Sequence, residues 1–133
     1  MERKKGLIVV FTALFMSMCL TGCKEEEKIR DLDFTVVAGD CIPEELITEI
    51  EGKKQEEFHL TFKDKDYLYL CVGYGKKEMS GYSICVEELY LTQSSIVLDT
   101  TLLGPKNTKE SKGESYPYIV IKMEYIDATV IFS

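Results

Sequence analysis

The chain has 133 residues, with 16 Lys or Arg against 23 Asp or Glu, and a formal net charge of −7. That length suits one small domain, and the acidic balance excludes a nucleic-acid binder, which needs a basic footprint. Five cysteines and a single histidine offer little from which to build a metal or catalytic cluster.

In chain order, Met1-Glu2-Arg3-Lys4-Lys5 is a short basic start, and residues 6–19 then carry no charge. Small residues follow at Thr21 and Gly22, completing the pattern of a secretory signal. The apolar run is short for a membrane span, which takes ~20 residues. Leu20-Thr21-Gly22-Cys23 resembles the lipobox of bacterial lipoproteins. In that family the cysteine sulfur receives a diacylglycerol and the signal is cut just before it. The resemblance implies that residues 1–22 form a lipoprotein signal peptide and that Cys23 is the site of lipid attachment. It also implies a lipid-anchored protein on the extracytoplasmic face of the cell membrane. Two acyl chains on one residue anchor stably where one chain does not. Cleavage there leaves 13 basic residues against 22 acidic ones, a formal charge of −9. Charge therefore adds no attraction to an anionic bilayer.

Residues 23–32 read as a charged tether after the lipidated cysteine, with Lys24 to Asp31 expected to be disordered. Residues 33–133 read as one β-rich domain. Asp33 to Gly39 is β-branched and alternating, which predicts a strand. A short amphipathic helix is expected over Ile42 to Gly52. Pro43 suits its first turn, Glu44 and Glu45 its positive end, and Gly52 its stop. Ile42, Leu46, Ile47 and Ile50 fall on one helical face.

Two strands follow, joined by Asp64-Lys65-Asp66, the second ending in Gly73-Tyr74-Gly75. Tyr82 to Thr92 and Ser95 to Gly104 read as a hairpin turning at Gln93-Ser94-Ser95. A polar loop rich in turn residues leads to Tyr116–Tyr125, a strand with Ile119, Ile121 and Met123 on one face and Val120, Lys122 and Glu124 on the other. Asp127-Ala128 turns into a last strand, Thr129 to Phe132. Six or seven strands with short connections and one helix predict a mainly β (α+β) domain, an antiparallel sheet or sandwich.

Cys41, Cys71 and Cys85 remain in the domain, an odd number that permits at most one bridge. No CxxC or Cys–His spacing supports zinc, and no cofactor or metal is expected. Cys71 and Cys85 lie in apolar runs and read as small buried hydrophobes, or alternatively as a bridge between neighbouring strands. His59 stands alone at a strand start, and scattered serines do not complete a triad with it. Glu44-Glu45 and Glu56-Glu57 read as a helix start and a solvated turn rather than an acid/base pair. Gly73, Gly75 and Gly81 lack the GxGxxG spacing and precede a strand, so no phosphate cradle is expected. No enzyme activity is predicted.

The informative stretch is Gly73 to Leu89, where a polar loop ends in Gly81-Tyr82-Ser83 before the next strand. Gly81 admits a backbone turn other residues resist, and Tyr82 offers an aromatic surface with a hydrogen-bonding tip. This reads either as a tight turn with a buried tyrosine or as a loop tip that engages a partner. Gly81-Tyr82-Ser83, Gly104-Pro105 and Ser115-Tyr116-Pro117-Tyr118, set between strands, resemble the PrcB C-terminal domain family over about Tyr67 to Phe132. Met79-Ser80 stands where that family usually has Thr-Gly. The family is named for a subunit of a cell-surface protease complex, in which it associates with a subtilisin-like protease and supports its stability. The resemblance implies a non-enzymatic interaction domain for an exported protease, with Gly81, Tyr82, Ser83, Tyr116, Pro117 and Tyr118 as candidate contacts. A protease inhibitor and a small-molecule-binding or envelope lipoprotein are the alternatives.

Overall fold

A computed structural model describes residues 26–109 and 112–133; Cys23 and the signal segment lie outside them. Eight strands and one α-helix are formed among the described residues. They run β1 (Arg30–Asp31), β2 (Thr35–Val37), α1 (Glu44–Lys53), β3 (Glu57–Asp64), β4 (Tyr67–Tyr74), β5 (Ser83–Leu91), β6 (Ser95–Leu103), β7 (Tyr118–Glu124) and β8 (Thr129–Phe132). One sheet has the order β1-β5-β6-β8 and the other β2-β7-β4-β3. The predicted mainly β sandwich with one helix is what forms.

The second sheet is covered on both faces. On one side Leu68, Leu70, Val72, Ile121 and Met123 meet Leu89, Ile96 and Leu98 of the first sheet. On the other, Tyr69, Cys71 and Val120 meet Leu46 and Ile50 from α1 and Ile42, two residues before it. The molecule is thus three layers: sheet, sheet, helix. Burial on both faces explains why β4 is apolar along nearly its whole length, since neither set of alternate side chains reaches water. The two faces read from the Tyr116–Tyr125 strand are the two core faces of β7.

Helix α1 begins directly after Pro43, with Glu44 and Glu45 in its first turn and Lys53 in its last. Those charges complement the helix dipole. The β3–β4 hairpin closes through the two residues Lys65 and Asp66, with Lys65 in the left-handed region at φ 57°. In β5 the register shifts between Val86 and Glu88. This bulge at Glu87 lets Ile84 and Val86, before it, face the same way as Leu89 and Leu91, after it.

Three local expectations are corrected, and one sheet is mixed. The Asp33–Gly39 strand is only three residues long, because Gly39–Cys41 coils into a 3-10 turn. Of the charged stretch expected to be disordered, the described part from Glu26 onward joins the fold: Arg30 and Asp31 pair with Leu91 and Tyr90, and Leu32 after them is buried. β8 crosses to the first sheet and lies parallel to β6, so that sheet is mixed. Cys85, expected to be buried, is exposed, because its inward neighbours Ile84 and Val86 turn it to the outer face. Cys71 is buried under the helix, on another layer, so both thiols are free and no bridge joins them.

Candidate functional site

The three segments singled out in the sequence meet at one end of the sandwich. β5 starts there with Ser83, β6 ends there with Leu103, β4 ends there with Tyr74 and β7 starts there with Tyr118. The β4–β5 loop and the β6–β7 loop are bonded to each other. Lys77 and Ser115 exchange backbone hydrogen bonds, Lys77 N–H to Ser115 O at 2.8 Å and Ser115 N–H to Lys77 O at 3.0 Å. The Ser115 hydroxyl donates to the Met79 carbonyl at 2.5 Å. The Lys112 N–H donates to Ser80 Oγ at 2.9 Å. Lys76 Nζ reaches Glu114 Oε1 at 3.0 Å, and that hydrogen bond raises the lysine's pKa.

At Gly81 the β4–β5 loop passes close to Pro105 of the β6–β7 loop. The glycine's φ is +92°, and a Cβ there would stand 3.0 Å from Cβ of Pro105. A side chain would meet both strain and crowding, so glycine is the residue this contact requires. Tyr82 beside it is half-buried and Ser83 is exposed at the start of β5.

Tyr116 and Pro117 are half-buried, and Tyr118 is exposed. The Pro117 carbonyl accepts from Tyr74 N–H at 3.0 Å, which carries the β4–β7 pairing one step past the strand. The Tyr116 ring lies under Lys54 Nζ, 5.0 Å from its centroid. The carbonyl of Gln55 accepts from Lys76 N–H at 3.1 Å. The end of α1 and the turn after it therefore brace the loops from the helix side. Leu103 and Tyr118, at the loop ends of their strands, are 49% and 37% exposed. Aromatic and apolar side chains fixed on a scaffold of short bonds make a surface suited to a protein partner.

Residues 68–124 match the family described as PrcB C-terminal. That bears out the resemblance carried by Gly81-Tyr82-Ser83, Gly104-Pro105 and Ser115-Tyr116-Pro117-Tyr118, and the matched segment runs from β4 to the end of β7. Both bonded loops fall inside it, while α1, β3 and β8 lie outside. No curated protein and no solved structure matches the chain.

Of the candidate contacts, Gly81, Tyr82, Ser83, Tyr116, Pro117 and Tyr118 all come to this end, and Cys23 lies outside the described residues. Sequence reading missed Lys54, Gln55, Lys76 and Glu114, which support the loops. Nothing in their local pattern marks them, because each acts on a residue distant in the chain. His59 sits away from the loops' contacts, its ring stacked on Phe132 at 4.4 Å and 7° from parallel. Among the described residues no group of three or more His, Cys, Asp or Glu gathers closely enough to hold a metal ion.

Proposed function

We propose that this protein is a membrane-anchored, non-enzymatic interaction domain that associates with an exported protease and stabilises it. The family match over residues 68–124 carries the reading, because the family's name points to a protease complex and the matched stretch includes both bonded loops. Cys23, through its diacylglycerol, holds the domain at the extracytoplasmic face of the membrane. The loop cluster around Gly81, Tyr82, Tyr116 and Pro117 makes the contact.

Inhibition is the rival reading. A segment that inhibits by imitating a substrate lies extended in the protease cleft. Here the β4–β5 loop is bonded back onto the β6–β7 loop through Lys77, Met79 and Ser80. That favours docking by a rigid surface over insertion. Crosslinking of the native protein in membranes, followed by capture and mass spectrometry, tests the proposal. Recovery of an exported protease, lost with Tyr82→Ala, is the expected result. A protease whose half-life lengthens with the domain fits stabilisation, and one whose turnover stops fits inhibition. Recovery of no peptidase removes the protease role.

A further inference from the structure

The stretch that precedes the sandwich is tied to one place on it. The Glu26 carboxylate accepts from the Thr92 hydroxyl at 2.6 Å, from the Ser94 hydroxyl at 2.6 Å and from the Ser94 N–H at 3.3 Å. All three donors belong to the β5–β6 turn. From there the chain climbs the open edge of β5. Ile29 N–H donates to Leu91 O at 2.7 Å, and Leu32 N–H donates to Leu89 O at 2.9 Å. Lys28 spans Asp31 at 2.9 Å and Glu88 at 3.0 Å. Leu32, 7% exposed, closes the run in the core.

Cys23 stands three residues before Glu26. Three residues reach at most ~11 Å, whereas the six from Cys23 to Ile29 would reach roughly 20 Å if Glu26 were not held. β5 and β6 are nine residues each, so about 26 Å separates their turn from the loop cluster at the far end.

We propose that the bilayer is the partner of the β5–β6 turn: the lipid on Cys23 stands the domain on that end and presents the loop cluster about 26 Å above the membrane surface. The inference rests on the lipid anchor proposed above and adds the orientation. The β3–β4 turn and residues 125–128 open at the same end, linked by Tyr125 N–H to Asp66 O at 2.8 Å and by the pairing of Thr129 with Ser95. They bring Asp64, Asp66 and Asp127 with Lys65. Such a foot is not drawn into anionic headgroups; the short covalent connection holds it there. A partner that reaches the cluster must extend well clear of the bilayer.

The test uses the full-length lipidated protein in phosphatidylcholine vesicles containing a headgroup spin-labelled lipid. A fluorophore is attached at Gln93→Cys or Glu78→Cys after Cys41→Ser and Cys85→Ser remove the two exposed thiols. Severalfold stronger quenching at position 93 than at position 78 is expected, with the contrast shrinking in Glu26→Ala. Equal or reversed quenching on vesicle-bound protein overturns the orientation while leaving the anchor intact. An unchanged contrast in Glu26→Ala overturns the role of the carboxylate latch. A mature protein that lacks the diacylglycerol by intact mass and stays out of the detergent phase overturns the anchor itself.

Discussion

Leu46→Ala probes the third layer of the fold. Leu46 is 0% exposed and packs in the cluster with Ile42, Ile50, Tyr69, Cys71 and Val120. Truncation of a fully buried leucine costs ~2.7–5 kcal/mol, the smaller losses arising where neighbours can collapse into the gap. Helix α1 is a single outer layer and can settle inward, so about 3 kcal/mol is expected. For a domain of this size that lowers the Tm by about 10–20 °C. Urea unfolding followed by circular dichroism should show the midpoint fall with the slope unchanged. The exposed neighbour Glu45, changed to Ala, should move stability by no more than ~0.5 kcal/mol. A loss below ~1 kcal/mol for Leu46→Ala would refute the seating of the helix on the sheet.

Other outcomes follow from single sites. Gly81→Ala should destabilise by ~1–2 kcal/mol through left-handed strain and the Pro105 contact, and should weaken capture of the partner; unchanged capture and stability would deny the loop contact its role. In thiol titration, Cys41 and Cys85 should react in the native protein and Cys71 only in denaturant, since burial pushes the Cys71 thiol up to about 12. The Cys85 thiol is raised first by the nearby Glu87 carboxylate, so Glu87→Gln should speed its labelling at neutral pH; an unaltered rate would contradict that cause. Hydrogen bonds from Ser94 and Thr92 lower the Glu26 pKa. A depressed folded pKa means the latch is fully present above the group's ordinary value and opens only as pH falls through the lowered one. Protection of the Ile29 amide relative to its intrinsic exchange rate should therefore fall in acid, and at neutral pH in Glu26→Ala; equal protection in that variant would show that β1 holds without the latch.

The strands, the helix and the loops were legible because each rests on local pattern. Alternation marked the strands, and Pro43, Glu44 and Glu45 marked the helix start. The glycine, proline and tyrosine segments stood out as punctuation between runs. The fate of single side chains was less legible. Cys85 sits in an apolar stretch, yet one extra residue at Glu87 lets the apolar positions on either side of the bulge face inward and leaves the thiol in water. The charged residues before Leu32 carry no strand pattern, and they are ordered by an open edge on β5 sixty residues away.

By itself, then, the sequence determined the longer strands, the one α-helix and the turns between them, since those choices depend on neighbours a few residues apart. Tertiary structure alone decided that β4 would be covered twice, that β8 would run parallel to β6, and that Gly81 would rest against Pro105 with Tyr116 beneath Lys54. Those outcomes depend on which surfaces find each other when apolar area leaves water, and residues far apart in the chain share no local signal of that meeting.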